Sequence, residues 1–171
     1  AIQILSKQQL SYDENGNWAS KGTVHPEIVQ ACLQHPYFNQ KLPKTTGRAL
    51  FGAHYAQDLL RQFEHLSLSK YDWMATLTAF IATSIVQSYH QLLNTFPAEV
   101  VVSGGGALNP QLMAQIAGLL PEGVNLKTME DYGMSSEAKE AVAFALLAYC
   151  TVFGIPNNIP DATGATQPLV M

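Results

Sequence analysis

The 171-residue sequence predicts an α/β domain with a mixed, at least partly parallel sheet and flanking helices. Three observations carry this. Glu99 to Ser103, EVVVS, is a short β-branched run that ends in three glycines, and a continuous apolar run of that kind suits a strand covered on both faces. Val124 to Met129 is a second strand-like run, and a helical pattern from Asn109 to Leu120 separates the two. Another helical pattern, Ser135 to Phe153, follows, so the order strand, helix, strand, helix describes a βαβ crossover. Two strands do not make a stable sheet alone, so further strands are expected in segments that read as loops or on chain outside this sequence.

The elements follow from local signals. Ala1 to Leu10 places Ile2 and Leu5 on one helical face, with no Ser, Thr, Asp or Asn ahead to cap it. That uncapped start, the absence of an initiator Met and the apolar run that closes the chain lead to the expectation of a fragment. Ser11 to Ala19 carries an Asn-Gly turn signal. His25-Pro26-Glu27 opens a helix through His35, with Pro26 at its first position and Glu27 complementing the dipole. Pro36 to Gly52 is expected to be an ordered loop anchored by Tyr37, Phe38 and Phe51. Helical patterning resumes over Ala53 to Leu66 and over Tyr71 to Phe96, the longest helix, which ends at Pro97. Asn109-Pro110 is a cap followed by a first-position proline, and Asp131 to Gly133 closes the second strand in a turn. Ser135 or Ser136 is available to cap the last helix, with Glu137 in its first turn.

Composition excludes several functions. A net charge of -4 argues against a nucleic-acid footprint. The most apolar window, Met74 to Val86, is broken by Thr76, Thr78, Thr83 and Ser84 and falls short of a membrane span, and no secretion signal opens the chain. Cys32 and Cys150 stand alone, which fits reduced thiols in a cytoplasmic protein. His25, His35, His54, His65 and His90 show no metal-ligand spacing, so no metal site is assigned. No G-x-S-x-G elbow is present. Charged residues make up 13% of the chain against about 25% in ordinary domains, so part of the surface is expected to be covered by something else.

Val100 to Pro110, VVVSGGGALNP, is the strongest local signal. Glycines let a ligand approach the backbone and the following helix start offers free N–H groups, yet the same glycines also suit a plain tight turn. No Gly-Lys-Ser/Thr follows, and Asn109 stands where a dinucleotide fingerprint needs its third glycine. Glu137 and Glu140 on the last helix can hold a sugar hydroxyl or simply favour the helix dipole. Lys44 and Arg48 flank Thr45-Thr46-Gly47 as candidate anion contacts or as solvated cations.

Four segments in order, PYFNQKLPKTTGRALFG, VVVSGGGALNPQLM, EAKEAVAFALLAY and IPDATGAT, resemble the C-terminal half of anhydro-N-acetylmuramic acid kinase over essentially the whole chain. The resemblance implies one domain of the two-domain, actin-like (ribonuclease H-like) fold shared by sugar kinases and heat-shock ATPases. It implies ATP and Mg2+ as cofactors, anhydro-N-acetylmuramic acid as substrate, and ring opening by water during phosphorylation, a step in cell-wall recycling. It makes Gly104, Gly105 and Gly106, with Asn109 beside them, the nucleoside-binding turn, and Glu140 the substrate-contacting glutamate. Lys44 to Arg48 match a family motif, with Ala49 where the family usually has Glu. The family's catalytic aspartate, in an Asp-Thr-Gly-Pro-Gly-Asn motif, and its phosphate-binding segment are expected upstream of Ala1, so residues 1–171 are expected to be inactive alone. A homodimer is expected, with Tyr71 to Phe96 at the interface. The rival readings are a noncatalytic nucleotide-binding or assembly domain of this fold and a dinucleotide domain with Glu130 or Asp131 on the ribose.

Overall fold

The structure is a computed structural model that describes all residues from Ala1 to Met171. Seven helices and two strands make a mixed α/β chain: α1 Ile2–Leu5, α2 Pro26–Leu33, α3 Ala53–Gln62, α4 Lys70–Leu92, β1 Glu99–Val102, α5 Pro110–Leu119, β2 Asn125–Thr128, α6 Lys139–Val152 and α7 Pro160–Thr163. β1 and β2 pair in parallel, Val100 opposite Leu126 and Val102 opposite Thr128, with α5 as the crossover. The expected βαβ unit is present, but the loops hide no further strand: the sheet has two strands.

α4 is the spine. Ser69 caps it with a reciprocal box, its hydroxyl accepting from the Asp72 N–H at 3.1 Å while the Asp72 carboxylate accepts from the Ser69 N–H at 3.1 Å. The other Asp72 oxygen accepts from the Thr23 N–H at 2.8 Å, and the Thr76 hydroxyl accepts from the His25 N–H at 3.1 Å. The start of α2 is thereby tied to the first turns of α4. Behind these bonds lies the main core, in which Ile28, Val29, Cys32 and Leu33 of α2 meet Leu59 of α3 and Trp73, Ala79 and Phe80 of α4. Phe38 and Phe51 pack onto that core, so the 36–52 loop is anchored as expected. Farther along α4, Ala82 and Val86 meet Ile116 of α5, and this second cluster carries Leu126 of β2.

Several boundaries differ from expectation. The first helix stops at Leu5, because Lys7 and Gln8 adopt φ of +54° and +67°, a left-handed backbone that a right-handed helix does not continue through. α4 ends at Leu92 rather than Phe96, whose ring instead packs edge-on against Tyr89. α6 begins at Lys139 without a side-chain cap. The Ser135 hydroxyl accepts from the Glu137 N–H, and Ser136 is held by Glu130, so both serines are used in the preceding turn.

β1 is covered on one face only. Val100 is buried, while Val101 points away and is 44% exposed. The EVVV run therefore has the composition of a doubly covered strand without the second cover. In all, 21 of 171 residues are buried and none of them lies beyond Ser136, so the last helix and the tail stand outside both cores. No helix is long and apolar enough to cross a membrane.

Candidate functional site

The glycine turn follows β1 directly, at the carboxyl end of the strand, where open α/β sheets take their ligands. Gly104 has φ of +79° and ψ of -171°, a backbone region open essentially to glycine alone. Gly105 to Leu108 form one 3-10 turn, closed by Ala107 N–H to Gly104 carbonyl at 3.0 Å and Asn109 N–H to Gly106 carbonyl at 3.1 Å. A Cβ added at Gly104 or Gly105 would meet nothing within 4 Å, and one at Gly106 only the Leu112 side chain at 3.4 Å. Conformation thus demands glycine at Gly104, whereas Gly105 and Gly106 leave an open approach to the main chain.

Asn109 sits at the base of this turn as a cap. Its Oδ1 accepts from the N–H groups of Gln111 at 3.0 Å and Leu112 at 3.2 Å, which satisfies the start of α5. A Cβ at Gly16, whose φ is +65°, would lie 2.5 Å from the same oxygen. The expected Asn-Gly turn therefore packs on the helix start that carries the glycine turn, and it requires glycine both for its backbone and for this approach.

Glu140 lies exposed in the first turn of α6, with no hydrogen bond or ion pair to the glycine turn. Lys44 is not free in the manner of a solvated cation. Its Nζ donates to the carbonyls of Tyr37 at 3.2 Å and Phe38 at 3.0 Å and lies 4.8 Å from the Tyr37 ring centroid. Arg48 is exposed and forms no ion pair, and its carbonyl crowds Gly52, where an added Cβ would lie 2.0 Å from that oxygen. The tail motif meets this loop, since a Cβ at Gly164 would sit 3.1 Å from Pro43 Cγ. Two of the four segments singled out in the sequence are thus neighbours, while Glu140 and the glycine turn stand apart from them.

A cleft of about 460 Å³ opens between the 36–52 loop and α4. Phe38, Phe51 and Phe80 contribute to its apolar lining, Lys44 and Thr46 come from the loop, and Ser84, Gln87, Ser88 and Gln91 line the α4 side. Sequence reasoning missed this wall, although spacing of three, four and seven residues puts those four uncharged polar side chains on one helical face.

On the outer face of the sheet, the Tyr132 hydroxyl donates to the Glu99 carboxylate at 2.5 Å to one oxygen, and Lys127 Nζ lies 3.6 Å from it. The Tyr132 bond, with help from Lys127, holds the Glu99 carboxyl below its ordinary range and pushes the Tyr132 phenol up. The Glu130 carboxyl is lowered chiefly by the Ser136 N–H. In the main core, burial raises the Cys32 thiol and, with Cys32 beside it, the Tyr55 phenol. Cys32 is a buried free thiol. No group of three His, Cys, Asp or Glu side chains is placed to hold a metal ion.

A parallel βαβ unit with an open glycine turn at the carboxyl end of its first strand defines a mixed α/β domain. The particular family is shown by comparison: this chain belongs to the anhydro-N-acetylmuramic acid kinase family, whose sequence model matches residues 2–171. The anhydro-N-acetylmuramic acid kinase of a Cyanothece species is 45% identical over 171 residues, covering 100% of this chain and 45% of the relative. That of Caldanaerobacter subterraneus subsp. tengcongensis is 42% identical over 174 residues, 99% of this chain and 43% of the relative. That of Bacillus cereus is 45% identical over 168 residues, 95% of this chain and 43% of the relative. The chain spans less than half the length of these relatives.

Proposed function

We propose that residues 1–171 form the C-terminal, nucleoside- and sugar-contacting domain of an actin-like kinase acting in the cytoplasm. The reaction is ATP-dependent phosphorylation of 1,6-anhydro-N-acetylmuramic acid with hydrolytic opening of the anhydro ring, yielding N-acetylmuramic acid 6-phosphate for cell-wall recycling. The observation that carries this reading is the family match along residues 2–171, with relatives bearing that name at 45% identity.

The geometry of the glycine turn supports the nucleoside role. Gly105 presents a main chain that no side chain covers, and Gly106 beside it meets only Leu112, so a flat base or a ribose can lie against the turn. Asn109 holds the start of α5 rigid beneath that surface. Glu140, exposed and unpaired, is free to accept a hydrogen bond from a sugar hydroxyl. ATP, bound with Mg2+, supplies the transferred phosphoryl group. The side chains present suit the nucleoside end of that cofactor and include no carboxylate cluster for the ion. Phosphoryl transfer also needs aligned phosphates and an activated water, which this reading places on the polypeptide that the relatives carry beyond the matched stretch.

The test uses the intact kinase made by joining that polypeptide to this sequence. Incubation with ATP and the anhydrosugar should give the sugar 6-phosphate by phosphorus NMR, and residues 1–171 alone should give none. Glu140→Gln should raise KM for the sugar at least tenfold while KM for ATP stays unchanged. No phosphorylated sugar from the folded intact kinase would overturn the reading.

A further inference from the structure

We propose that α6 is a docking helix, whose side chains Val142, Phe144, Leu146, Tyr149 and Val152, with Phe153 at its C-cap, pack against the polypeptide that the relatives carry outside the stretch matched by this chain. No charged residue occurs from Ala141 to Pro160, so α6 is apolar around its circumference beyond its first turn. A helix apolar on every side is built for burial. Yet α6 buries no residue: Phe144 is 69% exposed and Val152 79%.

The exposed side chains are not a frayed end. Asn157 Nδ2 donates to the Leu147 carbonyl at 3.2 Å and to the Thr151 hydroxyl at 3.1 Å, and the Thr151 hydroxyl bonds the Met171 carbonyl. The tail therefore occupies the side of α6 that carries Leu147 and Cys150. At 100° per residue, Val142, Leu146, Tyr149 and Phe153 fall within one arc, and Ala141, Ala145, Ala148 and Val152 form an adjoining arc of small side chains. More than half the circumference is left bare, with a shallow strip beside a bulky one.

The chemistry of the surface selects its occupant. Fourteen residues span about 21 Å, short of the roughly 30 Å of a bilayer core. A helix lying on a lipid surface carries a basic polar face, and α6 has only Lys139 at its start. An occupant must also account for the open face of β1, where Val101 is 44% exposed. The relatives carry more than half their length outside the matched stretch, enough polypeptide to cover both surfaces. The inference rests on the proposed function only in assigning that polypeptide to the same kinase.

Hydrogen exchange followed by mass spectrometry tests this on the Cyanothece relative in its intact form and on residues 1–171. Amides of the helix matching 139–152 should exchange at least tenfold more slowly in the intact relative, independent of its concentration. In residues 1–171 they should exchange fast at every concentration, and Phe144→Glu should leave the thermal unfolding of this chain unchanged. Equal exchange in the two proteins overturns the proposal. So does protection in residues 1–171 that grows with concentration and vanishes in Phe144→Glu, which would make the occupant a second copy. Concentration-dependent protection in the relative would do the same. An intact relative that protects the helix but phosphorylates no anhydrosugar would remove the functional reading and leave the docking helix standing.

Discussion

Ile116 anchors α5, the helix that follows the glycine turn, in the second core cluster. It is 1% exposed and joins α5 to Ala82 and Val86 of α4, with Leu112, Leu126 and Phe96 around it. Ile116→Ala removes three carbons from that contact. At about 0.8 kcal/mol per buried methylene the transfer loss is about 2.4 kcal/mol. Incomplete collapse around the vacated space adds about 1 to 2 kcal/mol, giving about 4 kcal/mol in total. With a urea slope of about 2 kcal/mol per molar, the unfolding midpoint should fall by about 2 M. Equilibrium unfolding should be followed by far-ultraviolet circular dichroism and by tryptophan fluorescence. The fluorescence reports on the other core, where Trp73 is buried and Trp18 packs edge-on against Tyr71. Coincident shifts show that both clusters unfold together along α4, and a shift in dichroism alone shows that they do not. A loss below about 1 kcal/mol would refute the second cluster as the foundation of β1 and its glycine turn.

Gly104→Ala should cost roughly 1 to 2 kcal/mol through its backbone conformation, while Gly105→Ala should be nearly neutral in thermal unfolding; equal effects would contradict the turn geometry. In the intact kinase, replacing Gly105 by Leu should weaken ATP binding by calorimetry without lowering stability, and unchanged binding would take the turn out of the site. The Asp72 carboxyl is held below its usual range by the Ser69 hydroxyl and then by the Thr23 N–H. A depressed folded value means the stabilisation is present above the unfolded value of about 3.9 and is lost as pH falls through the folded one. Asp72→Ala breaks the capping box of α4 and leaves the Thr23 N–H without its acceptor, at a cost of about 1 kcal/mol at pH 7, and the carboxylate's share of that cost should fade in acid; a loss undiminished in acid would assign the effect to packing alone. Lys44→Met should lower stability by about 1 kcal/mol, because two carbonyls of the 36–52 loop lose their donor, and an unchanged melting temperature would return Lys44 to the pool of solvated cations.

Local signals were legible wherever a short stretch satisfies its own backbone. Asn109-Pro110 starts α5 as a cap with a first-position proline, His25-Pro26 starts α2, and both strands lie within their expected runs. Boundaries failed where a neighbour took over the expected group. Ser136 is spent on Glu130 and so does not cap α6, and two left-handed residues end the first helix early. At the site, Gly104 was readable because its glycine answers to its own backbone. The cleft wall of Ser84, Gln87, Ser88 and Gln91 was not, because its meaning comes from a loop more than thirty residues earlier folding across α4.

From sequence alone came the α/β class, the parallel crossover and the glycine turn, since each is written in residues near one another along the chain, and the family resemblance, since its four segments keep their order. The shortage of charge also announced that some surface was meant to be covered. Only the tertiary structure decided which surface that is. Composition marks β1 and α6 equally as apolar, yet burial depends on what the rest of the fold places against them. Val100 is buried, while Val101 is 44% exposed and more than half the circumference of α6 meets nothing within these 171 residues.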